Sequence, residues 1–175
     1  MRHLFLIVTA CFLTACKAVP NFEQPSLGGP KLDLEQYFVG DLRAYGQFQD
    51  ITGKVRDRFT VDLEGRFDGE VLTLVEDFVY DDGREEQRIW RLTKTGDYTW
   101  DGRADGVFGV AKGVEDQDRF NFQYTIALPN GDGTSTTVQF DDWLWRFDEK
   151  RVLNKAYVSR YGIRVGVVTI WFEKI

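Results

Sequence analysis

Three stretches of this chain alternate side chains with strict period two, and that alternation constrains the fold more than any other feature. Val55, Asp57, Phe59, Val61 and Leu63 interleave with Arg56, Arg58, Thr60, Asp62 and Glu64. Phe120, Phe122, Tyr124, Ile126 and Leu128 interleave with Asn121, Gln123, Thr125 and Ala127, and Val165, Val167, Thr169 and Trp171 with Gly166, Val168, Ile170 and Phe172. Successive side chains of a strand point to opposite faces, so such runs predict strands and not helices. Turn signals divide the runs at Asp68-Gly69, Asp82-Gly83, Thr95-Gly96-Asp97, Asp101-Gly102, Asn130-Gly131-Asp132-Gly133, Asp148-Glu149-Lys150 and Tyr161-Gly162. Of these, Asp82-Gly83 is the strongest hairpin signal and predicts a type I′ turn. About eight to ten short strands follow, with no helix of ordinary length after residue 40. Tight turns leave little room for Greek-key crossovers, so the pattern predicts an all-β fold, a single antiparallel up-and-down barrel. An aromatic content of 15% suits a barrel interior filled or partly filled by rings. A membrane-spanning barrel needs a continuously apolar outer face, which Arg56, Arg58, Asp62 and Glu64 interrupt.

The N-terminus follows other rules. Arg2 and His3 precede the apolar run from Leu4 to Leu13, and small residues lead to Cys16. That is the layout of a secretory signal peptide. The run is about half of the ~20 residues that a membrane-spanning helix needs. The ending Leu13-Thr14-Ala15-Cys16 resembles the bacterial lipobox, in which the leader is cut before the Cys and the Cys is acylated. The expected division is a signal peptide over 1–15, a lipidated Cys16 and flexible tether over 16–33, and a barrel domain over 34–175. The tether reading rests on Pro20, Pro25 and Pro30 with Ser26 and Gly28-Gly29 between them. Such a segment reaches roughly 50 Å when extended, with a helical turn around Leu32 to Tyr37 before the barrel. Acyl chains on Cys16 hold the chain to a membrane, and Lys17, in place of an Asp, favours the periplasmic face of the outer membrane.

Composition removes most catalytic chemistry. Of 175 residues, the one His is His3 and the second Cys is Cys11, both in the leader. A mature chain acylated at Cys16 therefore has no imidazole and no free thiol. That excludes Ser-His-Asp and Cys-His catalysis, His- or Cys-based zinc sites, His-ligated haem and structural disulfides. Loss of residues 1–15 removes one base and no acid, leaving 21 Lys and Arg against 28 Asp and Glu. An acidic balance of that size argues against nucleic acid as a partner. The acidic, glycine-bearing loops at 101–105 and 130–133 lack the spacing and closing Glu of an EF-hand, so turn chemistry explains them and no metal is expected. No cofactor is expected either.

Several segments carry a resemblance. Phe38-Val39-Gly40, Gly46-Gln47-Phe48-Gln49-Asp50, Asp77-Phe78-Val79-Tyr80-Asp81-Asp82-Gly83 and Arg88-Ile89-Trp90 are among them. So are Gly102-Arg103-Ala104-Asp105-Gly106-Val107-Phe108-Gly109, Asp141-Asp142-Trp143 and Gly162-Ile163-Arg164-Val165-Gly166. Over nearly the whole mature domain the chain resembles an uncharacterised family of proteobacterial proteins classed as lipoproteins. The resemblance implies a lipocalin- or calycin-like barrel on a lipid anchor, and it implies no activity and no catalytic residue. Leu144 stands where that family often has Met, a volume-conserving change.

Two acidic pairs interrupt apolar strands, Glu76-Asp77 and Asp141-Asp142. Period two sends one member of each pair to either face. Glu76 shares parity with Leu72, Leu74, Phe78 and Tyr80, and Asp142 with Val138, Phe140 and Leu144, which predicts that these two point inward. Trp143, Trp145 and Phe147 make the opposite face apolar as well, as outward aromatics covered by the tether or a loop. A buried carboxylate needs a hydrogen-bonding or cationic partner, or a proton. Arg88, on the same face as Trp90, and Asn154 are candidate partners. Glu76, Arg88, Trp90, Asp142 and Asn154 are thus the candidate ligand-binding residues, forming a polar cluster at the base of a cavity for an apolar or amphipathic molecule such as a lipid. The alternatives are an internal salt bridge, a bulge that sends both acids to solvent, a filled barrel that recruits a protein partner of unknown identity in envelope maintenance, and a carboxylate-based hydrolase.

Overall fold

The period-two runs become ten antiparallel strands in a computed structural model that describes residues 19–175. Cys16, with its expected acylation, and the leader lie outside the described residues. A short helix α1 (Leu34–Tyr37) precedes β1 (Gly40–Asp50), β2 (Val55–Phe67), β3 (Val71–Tyr80), β4 (Glu85–Gly96) and β5 (Thr99–Arg103). There follow β6 (Ala111–Asp116), β7 (Arg119–Pro129), β8 (Ser135–Arg146), β9 (Arg151–Arg160) and β10 (Ile163–Lys174). Each strand pairs with its sequence neighbours, and β1 pairs with β10 to close the barrel. Closure removes every free sheet edge, which a chain of short strands must otherwise protect.

Alternation decides what fills the interior. Phe59, Val61 and Leu63 of β2, Leu72, Leu74 and Phe78 of β3, and Phe120 and Phe122 of β7 are buried, while the residues between them in β2 are exposed. Tight curvature is met by placing rings over glycines. A Cβ on Gly102 would lie 2.4 Å from the Phe122 ring, so that ring occupies space which a side chain on β5 would need.

The hairpin at Asp82-Gly83 forms, but its turn is not type I′. Gly83 has φ of 84° and Asp82 keeps a negative φ, so a three-residue loop joins β3 to β4. The Asp82 carboxylate accepts the Arg84 N–H at 3.1 Å and stabilises that wider loop. Both central residues have positive φ instead at Tyr161-Gly162, between β9 and β10, where Arg160 pairs directly with Ile163.

One end of the barrel is plugged. Leu32, Leu34, Tyr37 and Phe38 are buried, and the Phe38 ring meets Phe172 edge-on at 5.6 Å. Glu115, on the inner face of β6, fixes the plug: its Oε1 accepts the Leu34 N–H at 3.1 Å and the Trp100 indole N–H at 2.9 Å. Gly65 is required where α1 enters β1, because a Cβ there would fall 1.6 Å from the Phe38 carbonyl oxygen.

The segment expected to be a flexible tether is different from Val19 onward. It runs as an extended strap along the closed end. Arg119 donates to the Gln24 carbonyl at 2.7 Å and lies over the Phe22 ring, Asp118 accepts the Gly29 N–H at 3.1 Å, and Gln117 accepts the Leu32 N–H at 2.7 Å. Arg146 donates to the Lys31 carbonyl at 2.8 Å. Proline-rich chain has few internal hydrogen bonds to make, so its carbonyls are free for these side chains. Phe22 covers the outward-facing Trp143, ring centroids 4.8 Å apart.

Candidate ligand-binding site

With one end plugged, the inward faces of eight strands enclose a cavity of about 530 Å³ that opens at the other end. Leu34 and Phe38 form its floor. Asp57, Arg84, Asn130, Thr136 and Arg160 line its mouth, on or beside the turns that join β1 to β2, β3 to β4, β7 to β8 and β9 to β10. Its volume falls within the range of small-molecule sites, ~300–1,000 Å³. The walls are largely aromatic. Trp90 reaches across to Phe122 and Tyr124, centroids 5.0 Å apart in each case, and Tyr124 stacks on Phe140 at 5.0 Å.

All five residues expected from sequence line this cavity: Glu76, Arg88, Trp90, Asp142 and Asn154. Glu76 and Arg88 are directly opposed on β3 and β4, and Asp142 of β8 lies opposite Phe122 and Ala156. Their bonding differs from the partnerships that parity suggests. Arg88 pairs with Glu86 at 2.6 Å and lies over the Phe78 ring, and no ion pair joins it to Glu76 or Asp142 among the described residues. Asn154 donates to the Trp143 carbonyl at 3.3 Å and so ties β9 to β8 instead of serving a carboxylate. Asp142 accepts one hydrogen bond, from the Tyr124 hydroxyl at 3.3 Å, and its Oδ1 is buried without a partner.

Those geometries set the proton affinities. Burial, only partly opposed by Arg88, pushes the Glu76 carboxyl up to about 7. Burial and the neighbouring Asp141 charge push Asp142 up to about 8, against the Tyr124 hydrogen bond and the Arg88 charge. Both groups border the void, so each keeps some accessible surface while lying deep within the barrel. Burial also raises Tyr80 to about 12 and Tyr124 well above the usual phenol range. Burial opposes the charge on Arg88, but Glu76, Tyr124 and Glu86 around it hold its pKa above the ordinary value.

Sequence reasoning missed three polar members. Glu86 accepts hydrogen bonds from both Arg88 and the Tyr80 hydroxyl, the latter at 3.2 Å. Tyr124 serves Asp142, and Arg84 bridges Asp57 at 2.5 Å and Asp82 at 2.7 Å at the mouth. Parity could have found the first two, since Glu86 shares a face with Arg88 and Tyr124 with Phe122. The acid pairs drew notice only because two adjacent charges break a pattern. A site for metal is not evident, as no cluster of three or more Asp, Glu, His or Cys ligands gathers among the described residues.

The sequence profile described as "Protein of unknown function (DUF3833)" matches residues 10–174. The chain belongs to that family. The chain matches none of the curated proteins. Among solved structures, it is similar to the S-type phycobiliprotein lyase CPES from Guillardia theta, with a TM-score of 0.59 at 10% identity. That match covers 82% of this chain and 93% of the lyase. It is also similar to a protein of unknown function from the DUF3598 family of Nostoc punctiforme PCC 73102, with a TM-score of 0.55 at 12% identity, over 83% of this chain and 50% of that one. At such identities the likeness is one of fold: this DUF3833 member is a closed, lipocalin-like antiparallel barrel.

Proposed function

We propose that the protein is a lipid-anchored envelope barrel that holds a small apolar or amphipathic ligand in its interior and catalyses no reaction. The observation that carries this reading is the open, aromatic-walled cavity of about 530 Å³ with a polar cluster set within it. A filled barrel serving only as an interaction module would have no such void. In this reading acyl chains on Cys16 tie the barrel to the periplasmic face of the outer membrane, beside a source of lipid. The lyase that shares the fold contributes no residue roles.

The strands, plug and strap lie within residues 19–175, so residues 17–175, produced without the leader, supply the soluble barrel. Titration with N-phenyl-1-naphthylamine tests the reading, since the probe brightens in apolar sites and quenches nearby indoles. Saturable binding at micromolar probe with partial loss of tryptophan emission is expected. Wild-type binding by a Phe122→Glu variant, with the charge placed in the cavity wall, would refute it, as would no binding at all.

A further inference from the structure

We infer that the cavity selects amphipathic cations, an apolar or aromatic body bearing a protonated amine, over carboxylate- or phosphate-headed lipids. This rests on the ligand-holding reading and adds the sign of the head group. Three carboxyl groups face the cavity interior, from Glu76, Glu86 and Asp142, against the single guanidinium of Arg88. That guanidinium is already engaged by Glu86 at 2.6 Å. The cations at the mouth, Arg84 and Arg160, are placed elsewhere: Arg84 on Asp57 and Asp82, Arg160 over the Tyr161 ring. An anionic head seated beside the cluster finds its one guanidinium already paired with Glu86 and two further carboxyl groups, while Arg160, with no ion pair among the described residues, lies out at the mouth; desolvating a charge without a partner is costly. An ammonium finds the Asp142 carboxyl, whose Oδ1 has no partner, in a wall that also holds the aromatic rings of Trp90 and Tyr124.

The proton affinities agree with this geometry. Glu76 and Asp142 hold protons near neutrality because burial penalises their charge with too little cation nearby. A bound ammonium would supply that charge, so binding should release protons and strengthen as pH rises from about 6 to about 8.5. Every titratable or charged group facing the cluster enters this balance: Glu76 and Tyr80 from β3, Glu86 and Arg88 from β4, Tyr124 from β7 and Asp142 from β8, with Asp57, Arg84 and Arg160 at the mouth.

The test is displacement of N-phenyl-1-naphthylamine from the soluble barrel of residues 17–175 by dodecylammonium, dodecanol or dodecanoate below their micellar concentrations. At about pH 8.5 dodecylammonium should displace the probe at roughly tenfold lower concentration than dodecanoate. That preference should shrink at about pH 6, and Asp142→Asn should cut it severalfold. Equal or better displacement by dodecanoate would overturn the inference and leave the ligand-holding reading intact. No probe binding would overturn both.

The outer wall carries an independent inference. Trp145, Leu153, Trp171 and Tyr45 are successive cross-strand partners on β8, β9, β10 and β1, so they form one apolar row outside the barrel. Tyr45 is 50% exposed, and Phe147, 56% exposed, packs edge-on against Trp171. Arg43 and Arg151, with Glu173 between them, flank the row on one side and Lys155 on the other, Arg43 paired with Asp62 and Arg151 with Asp148. The strap ends beside it: Phe22 covers Trp143, which stacks on Trp145 at 6.2 Å. Three residues lead from Val19 back to Cys16, at most about 11 Å of extended chain. We propose that this row rests in the headgroup region of the anchoring bilayer, where amphipathic rings are favoured, so the barrel lies against the membrane and does not swing on a long tether. This rests on acylation of Cys16.

The test uses the full-length acylated protein in phosphatidylethanolamine–phosphatidylglycerol vesicles with brominated acyl chains. Bromine should quench part of the tryptophan emission, and a Trp145→Phe, Trp171→Phe double variant should lose that quenching while remaining vesicle-bound. Absence of quenching, undiminished quenching in the double variant, or failure to associate with vesicles would each overturn the proposal.

Discussion

Replacing Asp142 with Asn should stabilise the ligand-free barrel, by an amount that grows as pH rises from about 4 to about 8. The native carboxyl keeps its proton up to about 8, whereas an unfolded Asp loses it near ~4. Between those values the native state binds more protons than the unfolded one, so stability falls as pH rises through that window. The rise from ~4 to about 8 corresponds to about 5 kcal/mol of stability lost above the window. Asn keeps the shape and has no proton to lose. Thermal unfolding of Asp142→Asn should therefore match wild type near pH 4 and exceed it by about 15 °C near pH 8.5, at ~3 °C per kcal/mol for a domain of this size. Asp141→Asn is the control. The Asp141 carboxylate faces outward and accepts from Asn121 at 2.7 Å and Gln123 at 3.2 Å. Its loss should cost about 1–2 kcal/mol at both pH values. A clear drop in the melting temperature of Asp142→Asn at pH 8.5 would refute the reasoning, because it would mean that Asp142 is held ionised by a cation, with Arg88 turned from Glu86 towards it.

Glu115→Ala should strip the Leu34 N–H and the Trp100 indole of their shared acceptor. Two buried donors left unsatisfied cost about 2–4 kcal/mol together, read by urea unfolding, and the loosened plug should raise the off-rate of the bound probe. Cys16→Ser in the full chain should abolish incorporation of a fatty-acid analogue, and labelling equal to wild type would refute acylation at this position.

How much of this was legible in the sequence depends on which forces leave a periodic trace. A barrel wall must alternate, so Val61 and Leu63 on β2 or Phe120 and Phe122 on β7 declare their face without any knowledge of their partners, and eight to ten strands with tight turns already imply closure. The same parity placed Glu76 and Asp142 inside. It could not say what they meet there, because contact across a cavity depends on barrel radius and stagger, which no single strand encodes. Hence Arg88 is found on Glu86, two residues away on its own strand, and Asp142 on Tyr124 of the next strand. The turn at Asp82-Gly83 was misassigned for a related reason. Asp-Gly suits a two-residue loop, but it suits a three-residue loop ending in a left-handed Gly equally well, and the choice is made by the register of β3 against β4. The strap left no trace at all. Pro20, Pro25 and Pro30 signal the absence of regular structure, which reads as freedom. Yet a segment whose own N–H groups bond to the Asn21 and Ser26 side chains leaves carbonyls for any donor that comes within reach, and Arg119 and Arg146 lie about a hundred residues away in sequence, on the end of the barrel where the strap must pass. A composition rule describes what a segment can do alone. Docking is decided by the surface that it passes, and here that surface bears a buried arginine and a tryptophan that needs a cover.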